Sequence, residues 1–250
     1  MGTALEITAA GPHAGPAIEA AFSEVDRLDR VLSTFKEESE VSRLNRTASQ
    51  APFPCSEALW EALSLSRRHH GLSRGAFDPA VPDGWKNLAL DPGPRTVIFK
   101  KKGMRLDFGG IGKGLALDKA AAALRARGVE SALLNFGGQV QALGAGPAGE
   151  GWPVEVPGGP NLLIKDASVS TSGNSERPGH ILSPFTGLPV LGRPPVTVVA
   201  TTGAEADAWS TSIFVNPDLP YEGCVLINGR PRNEAGCQLF LNGEKKNEEN

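Results

Sequence analysis

The stretch from residue 107 to 118, Asp-Phe-Gly-Gly-Ile-Gly-Lys-Gly-Leu-Ala-Leu-Asp, holds the residue types in this chain that are best suited to chemistry. A hydrophobic strand is predicted to end at Asp107, and a helix to begin at about Ile111 after a glycine-rich turn. Such a loop suits phosphate, because glycines expose backbone N–H groups and a helix N-terminus is partly positive. Lys113 inside the loop and Asp107 at its mouth are what a pyrophosphate held with a divalent metal would need. The alternative is a plain glycine-rich turn packed against a sheet.

Two familiar phosphate-binding loops are excluded by the spacing. A P-loop places Ser or Thr directly after its lysine, whereas Gly114 follows Lys113. The dinucleotide fingerprint Gly-x-Gly-x-x-Gly is not matched by the alternating glycines Gly110, Gly112 and Gly114.

The elements around this loop predict an α+β fold, a single domain with mixed or antiparallel sheets and packed helices. Helices are predicted at 15–32, 39–45, 57–70, 111–127 and 204–215, with Gly128 as the stop after the fourth. Strands are predicted at 3–9, 96–100, 104–108, 131–135, 139–143, in short pieces between 152 and 170, and at 179–183, 196–200, 223–228 and 236–241. Residues 96–100 and 104–108 are expected to form a hairpin around Lys102 and Gly103. The domain is predicted to span 1–242, and a polar disordered tail 243–250.

The composition narrows the class of protein. A net charge of −3 argues against a nucleic-acid partner, which prefers a basic face. Cys55, Cys224 and Cys237 are an odd number without paired spacing, so we expect neither a metal site nor a disulfide framework from them. No window reaches the roughly 18 apolar residues of a membrane helix. The histidines His13, His69 and His70 are expected at the surface.

Short motifs spread along the chain carry a resemblance to a known family. They are Met-Gly-Thr at 1–3, Leu-Ser-Thr-Phe at 32–35, Ser-Glu-Val-Ser-Arg-Leu-Asn at 39–45, Gly-Ala-Phe-Asp-Pro at 75–79, the loop at 107–118, Leu-Asn-Phe-Gly-Gly at 134–138, His-Ile-Leu-Ser-Pro-Phe-Thr-Gly-Leu-Pro at 180–189 and Ala-Asp-Ala-Trp-Ser-Thr at 206–211. In this order and approximate spacing the chain resembles the ApbE family, the FAD:protein FMN transferases. The resemblance runs from Met1 to about Phe214.

The resemblance implies a reaction. Members cleave the pyrophosphate of FAD with Mg²⁺, pass FMN to a Thr or Ser hydroxyl of a redox partner protein as a phosphoester, and release AMP. The usual acceptors are subunits of sodium-pumping NADH:quinone reductases and of RNF-type electron-transport complexes. Two alternatives stay open: an FAD pyrophosphatase that gives free FMN and AMP, and a non-catalytic FAD-binding protein.

The metal site implied by the resemblance is built on Asp207 and Thr211. These two residues are four apart on a predicted helix, so they share one face, and both offer hard oxygen atoms suited to Mg²⁺. The family takes its third ligand from the glycine loop, which by position is the backbone carbonyl of Gly110. The alternative is a buried polar pair without a metal. His180 is expected to act as a general base or to orient Asp207, or to be structural.

The flavin site implied by the resemblance draws on several segments. Its expected residues are Met1, Phe35, Ala76, Phe77, Asp78, Asp107, Lys113 and Ile181. For Phe35 and Phe77 the alternative is a place in the core. Asn135, Gly137 and Gly138 are expected to form a structural turn, and Thr-Ser-Gly at 171–173 to lie near the cleft.

The chain also departs from the family pattern. The segment between Pro79 and Met104 is short, and Ser183-Pro184-Phe185 stands where members commonly have Asp-Pro-Arg. The family is commonly periplasmic or anchored as a lipoprotein, and Met-Gly-Thr normally lies inside a longer precursor. Here the methionine is residue 1, so the chain as written carries no signal segment and would be cytoplasmic. The alternative, a mature form or fragment of an exported precursor, stays open, and the localisation is not assigned.

Overall fold

A computed structural model describes residues 3–175 and 177–241. Its helices are α1 (Ala14–Leu32), α2 (Glu40–Thr47), α3 (Glu57–Leu72), α4 (Gly112–Arg125), α5 (Gly203–Val215) and α6 (Glu234–Leu241). Its strands are β1 (Leu5–Ala9), β2 (Phe53–Pro54), β3 (Leu88–Asp91), β4 (Thr96–Phe99), β5 (Ala132–Phe136), β6 (Gln139–Leu143), β7 (Trp152–Glu155), β8 (Asn161–Ile164), β9 (Ser168–Ser172), β10 (Val196–Ala200), β11 (Cys224–Ile227) and β12 (Arg230–Pro231). All strand pairs among these are antiparallel, which confirms the α+β prediction. None of the described helices is long and apolar enough to cross a membrane.

The main sheet has seven strands in the order β1-β5-β6-β9-β10-β11-β12, beside a small β2-β4-β3 sheet and the β7-β8 ribbon. On one face, α5 packs against β9 and β10, α4 packs against α5, and α1 packs against α4. On the other face, α6 and the β7-β8 ribbon cover a second apolar cluster. The main sheet therefore lies between two layers, and α4 and α5 share the layer that carries the glycine loop.

Helix α5 is buried on nearly all sides, from Gly203 through Val215. Most of its residues are small or apolar, which suits a helix inside a protein. Its first turn is satisfied by α4, because the Asp118 carboxylate accepts the N–H groups of Gly203 at 2.7 Å and Ala204 at 3.0 Å. Burial raises the pKa of Asp118, although these two donors act to lower it. The contacts fix the start of α5 against the middle of α4.

The two helices cross where both carry glycine. A Cβ atom at Gly114 would lie 2.1 Å from the carbonyl oxygen of Gly203, and a Cβ at Gly203 would lie 2.4 Å from that of Gly114. No side chain fits at either position without moving a backbone. The glycines therefore serve the helix crossing as well as the turn.

The hairpin predicted for 96–100 and 104–108 is wrong, since β4 pairs with β3 before it and with β2. Residues 104–108 do alternate in burial, with Met104, Leu106 and Phe108 buried. Their hydrogen bonds go elsewhere, because the Asn45 side chain donates to the Leu106 carbonyl at 2.9 Å and accepts its N–H at 2.8 Å. The Asn45 side chain thus makes the backbone hydrogen bonds that a neighbouring strand would otherwise make.

Two further strand predictions are wrong. Residues 236–241 belong to α6, in which Cys237, Phe240 and Leu241 face the second apolar cluster at helical spacing. Residues 179–183 form a turn rather than a strand, with one isolated antiparallel bridge between Leu182 and Pro189.

The expectation of no disulfide is also corrected, because Cys224 of β11 is bonded to Cys237 of α6. The two cysteines are 13 residues apart in sequence, and the turn through β12 returns α6 to β11. Cys55 is a free thiol. The predicted tail at 243–250 lies outside the described residues.

Candidate active site

Asp207 lies in α5 with its side chain 3% exposed and faces the first turn of α4. Its Oδ2 atom accepts the backbone N–H of Gly114 at 3.2 Å, and its Oδ1 atom lies 3.4 Å from the Lys113 Nζ. The close helix crossing allows both contacts, because the Asp207 side chain is short. A buried carboxylate is thus held between a helix N-terminus and one ammonium group.

Thr211 lies one turn beyond Asp207, on the same face of α5. A Cβ atom at Gly110 would lie 3.0 Å from Thr211 Oγ1 and 3.3 Å from Cε2 of Phe77. The structure therefore places the glycine loop, Thr211 and the Phe77 ring side by side. The three residues expected to bind the metal are neighbours in space.

The hydroxyl of Thr211 is the outer end of a buried polar cluster. Its Oγ1 lies 3.2 Å from Ser172 Oγ, which lies 2.9 Å from Ser210 Oγ. Ser210 Oγ also lies 3.0 Å from the Asp207 carbonyl oxygen and 3.3 Å from Ser170 Oγ. The cluster links β9 to α5.

The donor set here fits Mg²⁺. In the part of the chain that the structure describes, no three His, Cys, Asp or Glu side chains come together as metal ligands. The group at Asp207, Thr211 and Gly110 instead offers a carboxylate, a hydroxyl and a backbone carbonyl. Mg²⁺ prefers oxygen atoms and commonly binds through one or two carboxylates together with substrate phosphates and water.

Asp107 stands exposed at the entrance of the loop. Its Oδ1 accepts the Gly109 N–H at 2.8 Å, and its own N–H donates to the Pro79 carbonyl at 2.9 Å. These bonds shape the turn and tie it to the segment at 76–79. The two loops expected to contact the flavin are therefore directly connected.

In that second segment, Ala76 and Phe77 are buried. The two carboxylate oxygens of Asp78 accept the N–H groups of Ala80 and Trp85, both at 2.8 Å. His70 Nδ1 lies 3.0 Å from the Phe77 carbonyl, and its ring stacks on Trp85. Asp78 and His70 therefore hold the loop in shape, and direct contact of Asp78 with a flavin stays a prediction.

The prediction that His69 lies at the surface is wrong, because this residue is only 1% exposed. The ring packs edge-on against Phe77 and against Trp209, with centroids 6.3 and 6.2 Å apart. Its Nε2 atom has no hydrogen-bond partner among the described residues. Burial lowers the pKa of His69. His70 is half-buried, and only His13 is exposed as predicted.

His180 lies exposed on the turn that follows β9. Its Nδ1 hydrogen-bonds the Arg177 carbonyl. A carbonyl only accepts, so Nδ1 carries the proton and Nε2 of the neutral ring is left with its lone pair. The Asp207 carboxylate is oriented by Gly114 and Lys113, which does not favour an orienting role for His180.

Two more of the expected flavin residues, Phe35 and Ile181, are associated with the turn that carries His180. Phe35 is 70% exposed, with the Arg177 guanidinium 5.8 Å from its ring centroid. Ile181 is buried, and its carbonyl accepts the Val190 N–H at 2.8 Å, which closes the base of the His180 turn. Met1 lies outside the described residues.

A model described as the ApbE family matches residues 1–86 and 82–235 of this chain. The chain belongs to the ApbE family. A relative from Treponema pallidum, named FAD:protein FMN transferase, is 31% identical over an alignment of 296 positions, gaps included, which covers 95% of this chain and 80% of the relative. A Chlamydia trachomatis protein of the same name is 28% identical over an alignment of 241 positions, which covers 79% of this chain and 76% of that protein.

Solved ApbE structures share the fold. The ApbE protein of Thermotoga maritima superimposes with a TM-score of 0.85 at 27% identity, covering 96% of both chains. The flavin transferase ApbE from Vibrio cholerae gives a TM-score of 0.74 at 24% identity, over 86% of this chain and 84% of that one.

Of the residues predicted for this ApbE site, the structure gathers Gly110, Lys113, Asp207, Thr211 and Phe77 in one cluster. Ser170 and Ser210 were missed, although a signal existed. Ser170 and Ser172 are two residues apart on β9, so their side chains lie on the same face of the strand. Ser210 directly precedes Thr211 in the sequence. The turn predicted at 135–138 is confirmed, because the Asn135 side chain accepts the Gly138 N–H at 3.0 Å.

Proposed function

We propose that this chain is a Mg²⁺-dependent FAD:protein FMN transferase, which splits FAD into AMP and FMN and attaches FMN to a Thr or Ser of a redox partner protein. The observation that carries the proposal is the meeting of Asp207, Thr211, Gly110 and Lys113 at the start of α4. Membership of the ApbE family and the names of its relatives support it.

Asp207, Thr211 and Gly110 would hold the metal, the last through its carbonyl. Bound there, Mg²⁺ would neutralise charge on the FAD pyrophosphate. A cation at Asp207 would compete with Lys113 for the carboxylate, and the Lys113 ammonium would then be free to pair with a phosphate oxygen. The first turn of α4 adds its partial positive charge to the same place.

The transfer needs a proton acceptor. The oxygen of the acceptor hydroxyl bonds to the FMN phosphorus, the bond from that phosphorus to the bridging oxygen breaks, and AMP leaves with the bridging oxygen. The hydroxyl loses its proton, and His180 Nε2 has a free lone pair at an exposed turn that a partner protein can reach.

We assign binding of the flavin part of FAD to the loops at 76–78 and 107–113. Phe35, Ile181 and Met1 would make further contacts with it. By the family resemblance, the acceptor is a subunit of an NADH:quinone reductase or of an RNF-type complex. An exposed approach to His180 suits an acceptor presented by another protein.

The proposal is tested with purified protein, FAD and Mg²⁺, following AMP and FMN by chromatography. One set contains EDTA, and another contains a peptide with an Asp-Gly-Ala-Thr segment whose mass reports FMN attachment. We expect AMP release that requires Mg²⁺ and FMN on the peptide. Free FMN alone would identify a pyrophosphatase, and intact bound FAD would identify a non-catalytic binder.

Asp207→Asn separates the metal site from general effects on the fold. It keeps the shape of the side chain but removes its charge, so we expect AMP release to fall at least about 100-fold. Glu205→Gln is the matched control on the same helix, since Glu205 pairs with Thr201 and Arg68 instead. Equal activity of the Asp207→Asn variant and the wild type would show that the metal assignment is wrong.

A further inference from the structure

The buried hydroxyls behind Thr211 form a chain whose hydrogen-bond direction follows from the structure. Ser210 Oγ lies near three oxygen atoms: the Asp207 carbonyl at 3.0 Å, Ser170 Oγ at 3.3 Å and Ser172 Oγ at 2.9 Å. A carbonyl oxygen can only accept, and the geometry also makes Ser210 the donor toward Ser170. The single Ser210 proton therefore points away from Ser172.

The direction of the next two bonds is then fixed. Ser172 donates its proton to Ser210, because a hydrogen bond at 2.9 Å needs one proton between the two oxygens and that of Ser210 points elsewhere. Ser172 thus presents a lone pair to Thr211 Oγ1 at 3.2 Å, and Thr211 is the donor. With its proton used in this way, the Thr211 oxygen keeps its lone pairs for the side of the cleft on which Gly110 lies.

We propose that Ser172 is a positioning residue, which accepts the Thr211 hydroxyl proton and so turns the Thr211 lone pairs toward Mg²⁺. The inference rests on the proposed function, since it presumes a metal at Asp207 and Thr211. A metal ligand cannot point its proton at the ion, so a fixed acceptor on the far side prepares the hydroxyl for binding. Partners that orient a metal ligand commonly contribute 10- to 100-fold to metal affinity.

Without Ser172, the Thr211 hydroxyl loses this acceptor. A threonine within a helix then bonds the carbonyl four residues earlier, which here belongs to Asp207. That bond rotates the oxygen out of the position that the metal needs. The fold should survive, because Ser172→Ala removes one buried hydroxyl and leaves the strand unchanged.

The test measures metal affinity directly, with Mn²⁺ as the probe and its free EPR signal as the readout. Titrations use the free protein and the protein with ADP, which supplies a diphosphate but no flavin. We expect Ser172→Ala to weaken Mn²⁺ binding about tenfold. Ser168→Ala is the matched control: it removes a buried hydroxyl four residues earlier on β9, which donates to the Val140 carbonyl at 2.8 Å and takes no part in the Thr211–Ser172–Ser210 chain. Its Mn²⁺ affinity should stay within about twofold of wild type.

Kinetics give a second readout that a loss of stability would not produce. In the FAD assay, Ser172→Ala should raise the Mg²⁺ concentration for half-maximal AMP release about tenfold, while kcat at saturating Mg²⁺ stays near the wild-type value. Ser172→Thr restores a hydroxyl and should recover the affinity. If Ser172→Ala does not fold, Ser210→Ala interrupts the chain one bond further on and should also weaken Mn²⁺ binding.

The outcomes separate this inference from the proposed function. If Asp207→Asn binds Mn²⁺ as well as the wild type does, the metal site itself is wrong and the inference falls with it. If Asp207→Asn loses Mn²⁺ while Ser172→Ala, or Ser210→Ala in its place, binds like the wild type, the metal site stands and the positioning role of Ser172 is overturned.

Discussion

In the proposed transferase, a single backbone contact would prepare His180 to accept a proton. Because the Arg177 carbonyl holds the proton on Nδ1, the neutral ring presents Nε2 as a base without needing a carboxylate beside it. Since the residue is exposed, an incoming protein can place its hydroxyl there directly.

We expect His180→Ala to lower FMN transfer to the peptide by at least about 100-fold, which is the usual range for a general base. FAD affinity, followed by flavin fluorescence, should change less than about threefold because the imidazole acts on the acceptor hydroxyl. His13→Ala, at another exposed histidine, serves as the control. Unchanged transfer by His180→Ala at both neutral and alkaline pH would remove the general-base role.

The sequence alone was enough to predict which site residues lie together when they come from a single helix or loop. Asp207 and Thr211 share a face because they are four apart on a helix, and Lys113 follows the glycines of its own loop. The Ser172–Ser210 bond joins residues 38 apart, and sequence periodicity carries no information on that pairing. His69 was predictable, because Leu59, Ala62, Ser66 and His69 continue one buried stripe of α3.

At the scale of elements, the site depends on how closely α4 approaches α5. The Gly114 N–H reaches Asp207 because no side chain separates the helices at Gly114 and Gly203. The packing of the two helices and the hydrogen bond to Asp207 therefore both depend on a glycine at position 114.

Gly114→Ala should therefore destabilise the protein although alanine is the better helix former. The added methyl meets the Gly203 backbone at 2.1 Å, so the helices must separate, at a cost of about 2 kcal/mol or more. Gly71→Ala is the matched control, since Gly71 lies in α3 with open space around its Cβ position and should be neutral or stabilising by up to about 1 kcal/mol. Urea unfolding measures both, and equal stabilities would refute the close crossing.

The wrong element predictions share a physical cause. Residues 104–108 have the burial pattern of a strand, and only the Asn45 side chain decides that no strand lies beside them. The segment 236–241 is short and mostly apolar, so its sequence pattern fits a helix as well as a strand. The disulfide from Cys237 to Cys224 holds this segment, as a helix, against β11. In both cases the deciding partner is distant in sequence.

At the scale of the whole molecule, a row of rings connects the loop at 76–79 to Tyr221, which lies beyond the end of α5. Phe77 contacts His69, His69 contacts Trp209, and Trp209 lies with its ring centroid 4.7 Å from that of Tyr221. Burial raises the pKa of Tyr221 to about 12 and lowers the pKa of His69. The row belongs to the interior, so a charge on His69 would disturb the packing beneath the site.

The lowered pKa of His69 makes the stability of the protein depend on pH. Below about pH 6.5, the histidine of the unfolded chain takes up a proton that the folded protein resists, so stability falls as pH falls and levels off below the folded pKa. Burial is the main cause, Glu205 opposes it and Arg68 adds to it. One proton gives a slope of at most about 1.4 kcal/mol per pH unit.

Urea unfolding at pH 7.5 and pH 5.5 checks this expectation. His69→Gln keeps a polar side chain of similar size that does not titrate, so it should lose less stability than the wild type between the two pH values. His13→Gln removes an exposed histidine and should lose as much as the wild type. If His69→Gln has the wild-type slope, the buried ring is not the group that takes up the proton on unfolding, and the acid sensitivity must be sought among the carboxylates.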